Sequence, residues 1–526
     1  MNTVSDSDEH EGGASASGAG SGCAPLRSIT ALAWIVFGVA LVVFLVESRH
    51  LTKPGYDTLR DRSFLLSGDE PWYLLNTRSV AMDLDYNLYN DRVEQEFWDK
   101  NISGWTLEKE LRAIGHGRTK TEEYWAERVY PTKQIGLGIV LAPAYRVGLL
   151  WDEQVRLTCV WFLCLVGAFL VQQVFWLGYE LTSSRAAAAV GALAGAFSMP
   201  MIVYAAQIFT ELVAAFLLIV AVRMVLTSKW PPVVRAIITG CCLAYLPWLH
   251  EKYYLFVLVG IVMFCVASRP WRWKPLVGFG VPLVVSAVLL MMFYRTIYGV
   301  PYPVYVHKDP ISVAAGFRSG YLGLLFDRTD GLLPFWPMLA FAVVGLVWMC
   351  RDRERRRVGV WLAVLTGALW LVYGAFPDWP GGVCPPLRYW LPVVPLLIVA
   401  SSYALAAMRQ GLVVMLAVLA LLLGVVVGVR GMSHPRALMK DSVPMAPGPG
   451  TLGSRTIERT YHAFPDMKRR PDGSGPSARD YVRGVVWLVV LSGFVVLVVR
   501  LERRREGGAE TPEVEQDDRA TDSIVE

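Results

Sequence analysis

Residues 390–429, WLPVVPLLIVASSYALAAMRQGLVVMLAVLALLLGVVVGV, hold one charged side chain, Arg409, at their middle. An α-helix rises ~1.5 Å per residue, so each arm of about 19 residues reaches roughly 30 Å, the hydrocarbon thickness of a bilayer. The stretch reads as two membrane-crossing helices joined by a tight turn that keeps Arg409 at the surface. Similar apolar runs recur at 29–47, 156–178, 186–204, 207–227, 233–250, 253–268, 275–297, 332–350, 358–376 and 482–500. Over 526 residues, hydrophobic side chains make up 54% and charged ones 18%, with a mean hydropathy of +0.40. A soluble chain carries nearer a quarter charged residues. The fold class expected is therefore an all-α polytopic membrane protein of about twelve transmembrane helices. Interfacial helices are expected in a long first extracytoplasmic loop. No nucleic-acid partner is expected; the partners are membrane lipids and whatever the polar loops bind.

A further apolar stretch, 135–151 (IGLGIVLAPAYRVGLLW), is short and interrupted by Pro143 and Arg146. Basic side chains decide whether it crosses. Arg223/Lys229/Arg235, Arg269/Arg272/Lys274, the group Arg351, Arg353, Arg355, Arg356 and Arg357, then Arg409, and finally Arg503/Arg504/Arg505 are each two spans apart. The positive-inside rule puts all of them on the cytoplasmic face. Segment 135–151 then cannot cross and is expected as a re-entrant or interfacial helix, with both termini cytoplasmic. Lys468, Arg469 and Arg470, in a loop this scheme places outside, run against the rule.

The organisation that follows is a Gly/Ser/Ala-rich disordered cytoplasmic tail (1–27), which lacks the basic start and cleavage site of a signal peptide. A transmembrane domain occupies 28–429, and 48–155 is its first extracytoplasmic loop, with helical patterns at 72–82 and 107–114. A polar extracytoplasmic loop (430–481), a last span (482–500) and a disordered acidic tail (501–526) complete the chain. Of the eight cysteines, five lie in apolar runs, so no disulfide framework or metal-ligand spacing is read.

The ionisable residues at span ends gather on one side. Asp69 and Glu70 sit in SGDEPWYL, Lys133 in YPTKQIGLG, and Glu211 in QIFTELVAAF. His250, Glu251 and Lys252 interrupt WLHEKYYLF, Asp327, Arg328 and Asp330 lie in LLFDRTDGLLP, and Arg388 in PPLRYWLP. Charges in or near a membrane are expensive and mark functional sites. Each also has an ordinary reading. Asp69–Glu70–Pro71 suits a turn and helix start, Lys133 and Arg388 can snorkel to headgroups, and His250–Lys252 can be a tight turn.

In this order, SGDEPWYLLNTRS, YPTKQIGLGIVLAPAY, FTELVAAFLL, LPWLHEKYYLF, LLFDRTDGLLPFWP and DWPGGVCPPLRYWLPVVPLL resemble the GT-C glycosyltransferases over residues 25–410. These polytopic enzymes include protein O-mannosyltransferases and the lipid A aminoarabinose transferase. The resemblance implies a sugar donor on a polyprenyl phosphate, with transfer on the non-cytoplasmic side. It implies that Asp69 acts at the acceptor with Glu70 beside it, and that Lys133 helps hold the donor phosphate. The sequence Pro-Thr-Lys-Gln-Ile stands where aminoarabinose enzymes have Lys-Pro-Pro-Leu, which leaves the donor sugar open. Asp83 and Asp85 resemble the metal-binding acidic pair of sugar transferases, so a divalent metal stays an open alternative; such pairs also arise by chance.

Chemistry agrees with this implication. Moving a sugar from a lipid phosphate needs a base for the acceptor hydroxyl and cations for the departing phosphate. Asp69 is the expected base, with Glu70 orienting it or binding the acceptor, and Lys133, Lys252 and Arg388 are the expected phosphate ligands. Glu211, His250, Glu251, Asp327 and Arg328 are further candidates. The acceptor is a glycan, lipid or protein hydroxyl, and inversion by single displacement is expected. A transporter or flippase is the competing class, but would place charges near the midplane and show inverted repeats. A noncatalytic scaffold is the third. Short loops point to a bacterial plasma membrane; Asn101-Ile-Ser103 would be a glycosylation acceptor only in a eukaryotic lumen.

Overall fold

The computed structural model describes residues 23–48, 69–88, 133–151, 154–270, 272–302, 314, 316–382, 384–433, 462–468 and 475–508. Residues 1–22 and 509–526, which hold most of the two expected tails, lie outside the described residues. So do the pattern at 107–114, the Asn101 sequon, and most of the first loop and of 430–481.

Among the described residues the fold is all helix, with no strand. The helices are α1 (Cys23–Ser48), α2 (Glu70–Met82), α3 (Gly136–Leu149), α4 (Val155–Thr182), α5 (Arg185–Ala196), α6 (Thr210–Leu226) and α7 (Pro232–Leu249). They continue as α8 (Tyr254–Ala267), α9 (Trp273–Tyr298), α10 (Leu339–Arg351), α11 (Arg356–Gly374), α12 (Val394–Ala407), α13 (Gly411–Ser433) and α14 (Ala478–Gly508). Every apolar run read from the sequence contains one of these. Seven, namely α1, α4, α7, α9, α11, α13 and α14, are long and apolar enough to cross a membrane. The other five, α5, α6, α8, α10 and α12, span 12 to 17 residues. Two of these are cut short by proline. Run 186–204 breaks at Phe197–Pro200 before resuming as the turn Met201–Tyr204, and run 332–350 breaks at Trp336–Pro337. A proline has no N–H for the helix ladder, so the backbone turns there.

Burial separates centre from periphery. In α4, 61% of the most apolar window is buried inside the protein, against 11% in α9. Val281, Val284 and Leu289 of α9, and Val485 and Val489 of α14, point outward as lipid-facing side chains do. The core is centred on α4, α6 and α12, most of whose side chains are buried. Between helices in lipid, close packing rather than water exclusion drives association, and small residues permit it. Gly345 of α10 lies so near the Ala400 carbonyl of α12 that any Cβ would overlap it.

The stretch 135–151 forms α3, 14 residues and so about 21 Å long, packed against α2 and α4. Gly136 and Gly138 at its start let it press onto the backbone of Trp248 and of Asn76. This brings the first loop's two described pieces, α2 and residues 133–136, against the end of α7.

Candidate active site

Asp69 opens α2: its carbonyl accepts the Tyr73 amide at 3.2 Å, and Pro71 stands in the first turn. Its side chain and that of Glu70 diverge. Glu70 is fully buried, where Oε1 accepts the Ile208 amide at 2.9 Å and faces Arg156 Nη2 at 3.6 Å. It ties α2 to the approach to α6 and the start of α4. Asp69 turns instead to Lys133, whose Nζ lies 2.8 Å from Oδ1, and to Arg388, whose Nη1 lies 2.6 Å from Oδ2.

Lys133 is positioned through its backbone. Its carbonyl accepts from Tyr86 Oη and from Asn76 Nδ2 at 3.4 Å, both supplied by α2 and the turn after it. The next residue, Gln134, donates to Glu251 at 3.1 Å and accepts from Tyr294 at 3.1 Å, which engages α9.

Arg388 stands at the end of a tight loop. Gly381 and Gly382 take φ of +87° and +74°, and Leu387 takes +68°. A left-handed leucine costs about 1–2 kcal/mol, and such strain persists only where surroundings impose it. Here the Tyr204 hydroxyl donates to the Pro385 carbonyl at 2.5 Å, and the Trp390 indole to the Leu324 carbonyl at 2.8 Å. The guanidinium lies over the Phe209 ring at 4.4 Å and reaches Glu211 Oε1 with Nε at 2.6 Å.

Glu211, in the first turn of α6, is buried and also receives Lys252 Nζ at 2.5 Å on the same oxygen. The Thr210 hydroxyl donates to its other oxygen at 3.1 Å. Lys252 lies within 5.2 Å of the Tyr253 and Tyr389 rings, and its amide donates to His250 Nδ1 at 3.3 Å. The turn between α7 and α8 thus aims one ammonium at Glu211.

The result is a continuous chain, Lys133–Asp69–Arg388–Glu211–Lys252, of three cations and two carboxylates with a net charge of 3 − 2 = +1. Asp69 and Lys133 are 23% and 22% exposed, while Glu211 is closed off and Arg388 is 8% exposed, so a ligand meets the first pair. Burial alone would raise the Asp69 carboxyl, but Arg388 and Lys133 together hold it well below the ordinary carboxylate range. Burial outweighs the attraction of Glu211 and brings the Lys252 ammonium down to about 8. For Arg388, Glu211 and Asp69 overcome burial and hold the guanidinium charged. This arrangement can bind an anion by exchange: a phosphate competes with Asp69 for Lys133 and Arg388.

Asp327, Arg328 and Asp330 do not join this chain. Asp327 accepts from the Thr329 amide and hydroxyl at 2.8 Å, the Asp330 amide at 2.9 Å and the Met467 amide at 2.7 Å. Arg328 pairs with Asp466 at 2.6 Å and Lys468 with Asp330. These residues clasp segment 462–468 to the turn before α10. Burial and the neighbouring Asp330 raise the Asp327 carboxyl to about 6. Lys468, one of the cations that offended the positive-inside count, is compensated by the Asp330 carboxylate. Asp85, for its part, accepts from the Ser79 hydroxyl at 2.7 Å and the Asn87 amide at 3.0 Å, closing the end of α2, where Asp83 is the C-cap. No group of three or more metal-ligating side chains occurs among the described residues.

Sequence reasoning missed Arg156 under Glu70, Gln134 beside Lys133, the rings of Phe209 and Tyr389, and the partners Asp466 and Lys468. Arg156, at the head of an apolar run, was the most visible signal among them.

No protein-family model matches the sequence, and no curated protein matches it. Among solved structures, the archaeal oligosaccharyltransferase AglB from Archaeoglobus fulgidus, in complex with an inhibitory peptide and a dolichol-phosphate, is similar at 12% identity and a TM-score of 0.43. The match covers 84% of this chain and 61% of that one, so this chain spans less than two thirds of the oligosaccharyltransferase. ArnT from Cupriavidus metallidurans, bound to undecaprenyl phosphate, is similar at 15% identity and a TM-score of 0.42, covering 92% of this chain and 73% of that one. Likeness at this level says nothing of donor or acceptor, which have to be read from side chains.

Proposed function

We propose that this chain is a membrane glycosyltransferase that moves a sugar from a polyprenyl-phosphate donor to an acceptor hydroxyl at the end of the bundle carrying Asp69. The observation behind it is the buried chain of ion pairs with one cation in excess, open to ligand at Asp69 and Lys133. The donor's phosphodiester takes the Lys133 ammonium and one face of Arg388, releasing Asp69. Without its two cations Asp69 becomes a stronger base. The acceptor oxygen attacks the anomeric carbon, its proton passes to Asp69, and the bond from that carbon to the phosphate oxygen breaks with its electron pair on the phosphate. The leaving polyprenyl phosphate gains one negative charge, which Lys133, Arg388 and Lys252 are arranged to stabilise without reorganising. Attack opposite the leaving phosphate inverts the anomeric centre.

Glu211 orients Arg388 and Lys252, and Glu70 fixes the first turn of α2 on which Asp69 stands. In this reading the site faces the extracytoplasmic side of a plasma membrane, with both termini cytoplasmic, and the acceptor is a glycan, lipid or protein hydroxyl. The experiment is transfer of radiolabelled sugar from a panel of polyprenyl-phosphate donors in purified membranes, wild type beside Asp69→Asn. Transfer by the wild type alone supports the reaction and the base. No transfer from any donor by folded wild type, supplied with cell-extract acceptors, removes the assignment.

A further inference from the structure

Helices α6 and α7 carry the Asp69 network at one end and a second feature at the other. From Glu211 to Leu226, and from Leu249 back to Pro232, the two sites are separated by roughly 25 Å of helix at ~1.5 Å per residue. There a cavity of about 360 Å³ is lined by Arg235, Arg269, Arg272, Arg357 and Thr239, with no carboxylate among its lining residues. Three helices begin at its wall: Pro232 opens α7, Pro275 lies in the first turn of α9, and Arg357 is the second residue of α11. Helix N-termini present positive dipole ends and unpaired amides to anions.

The neighbouring Arg223 shows what the chain does with a cation it neutralises internally. Glu180 receives its Nε at 3.0 Å and its Nη2 at 2.7 Å. Arg235 has no such carboxylate. Its Nη1 donates to the Ser228 carbonyl at 3.0 Å, and its Nε is buried with no acceptor. A buried donor left unpaired is costly, and the like charges of Arg235, Arg272 and Arg357 around one cavity repel, unless an anion enters. Met224, Leu226, Phe264 and Pro270 supply the apolar part of the wall. Beside it Val266 and Trp273 are 46% and 69% exposed, as side chains are at the level where headgroups meet acyl chains.

We infer that this cavity binds a phosphate group, carried by an anionic lipid of the leaflet on the arginine-rich side of the bundle. The phosphate oxygens take the Arg235 Nε and the forks of Arg272 and Arg357, and the acyl chains leave past Trp273. Binding here is independent of transfer at Asp69, because its readout is occupancy and not turnover.

The test uses the full-length purified chain, delipidated in detergent and titrated separately with phosphatidylglycerol, diacylglycerol and inorganic phosphate, followed by native mass spectrometry and melting. One phosphatidylglycerol retained per chain, with a tenfold or greater loss of affinity in Arg235→Gln/Arg357→Gln, is expected, and diacylglycerol should not bind. Saturable binding of inorganic phosphate at similar strength supports the anion site and names a soluble source. Binding of neither, or phosphatidylglycerol binding that the double variant keeps, overturns it. Should that variant not fold, the exposed Arg272→Gln and Arg357→Gln single variants carry the same comparison, with the Arg→Lys forms expected to retain part of the affinity.

Discussion

Arg388 and Asp69, 319 positions apart, meet through Nη1 and Oδ2 at 2.6 Å, and the same guanidinium reaches Glu211 through Nε at 2.6 Å. One arginine therefore couples the accessible carboxylate of the first loop to the buried carboxylate of α6. It is the joint on which the proposed chemistry turns.

Asp69→Asn removes the proton acceptor while keeping a side chain of the same shape beside Lys133 and Arg388. Turnover should fall about 10²–10⁴-fold, the range ascribed to a positioned general base, with expression and melting close to wild type. Turnover within a few-fold of wild type would assign the base elsewhere.

Glu70→Gln should behave in the opposite way. Its carboxylate is buried against the Ile208 amide and Arg156, so the loss should appear as stability, on the order of 1–3 kcal/mol. The kcat per folded molecule should stay within a few-fold. A large kcat loss in a variant that melts normally would return Glu70 to the chemistry.

Arg388→Met takes one cation from each of two carboxylates, leaving the Lys252 ion pair at Glu211 and the Lys133 ion pair at Asp69. Removing one partner of a buried ion pair costs about 3–5 kcal/mol, which thermal melting in detergent would register. Arg388→Lys keeps the charge but bridges the two carboxylates poorly, because a point charge lacks the guanidinium's fork. It should melt nearer wild type yet bind donor more weakly. Equal donor KM in Arg388→Lys and wild type argues against a phosphate role.

The pH profile should be set on its alkaline side by Lys252. Its ammonium, lowered to about 8, is charged below that pH and loses its proton as the pH rises through it. Donor affinity should therefore decline above about pH 8, and Lys252→Arg should carry the decline to higher pH. A profile unchanged by that substitution would separate Lys252 from the donor.

Asp327 has the reverse sign of an ordinary salt-bridged carboxylate. Its folded value of about 6 lies above the usual 3.8, so the folded state holds the proton more tightly than the unfolded one. Stability should be greatest below the unfolded value and decline as pH rises through the window from 3.8 to about 6. Melting of wild type at pH 5 and pH 7, beside Asp327→Asn, isolates the contribution; a difference equal in both proteins rules it out.

The helical architecture was legible because hydrophobic runs of bilayer length leave few alternatives. The run 390–429 did become two helices split near Arg409, and 135–151 became the short α3. Lengths were less legible where proline cuts a run, as at Pro200 and Pro337. For the site, sequence supplied the residue types and their gathering at span ends. It named Asp69 as the base with Glu70 beside it but not the divergence of their side chains, because neighbours at a helix start share a composition signal but not a direction. It set Lys133, Lys252 and Arg388 apart from Arg328 as phosphate ligands, but only packing shows that the first three share one chain of ion pairs while Arg328 pairs with Asp466.

What the sequence by itself determined is thus the medium the chain lives in, its helical construction, and which ionisable residues stand against that medium. Only the tertiary structure decided which of these charges meet. Ion pairs form over a few ångströms between residues up to 319 positions apart, and helix packing, not local sequence, sets those distances. Glycines at close approaches and a left-handed Leu387 place Arg388 between Asp69 and Glu211. The same packing turns Glu70 and Asp327 away into contacts that hold the protein together.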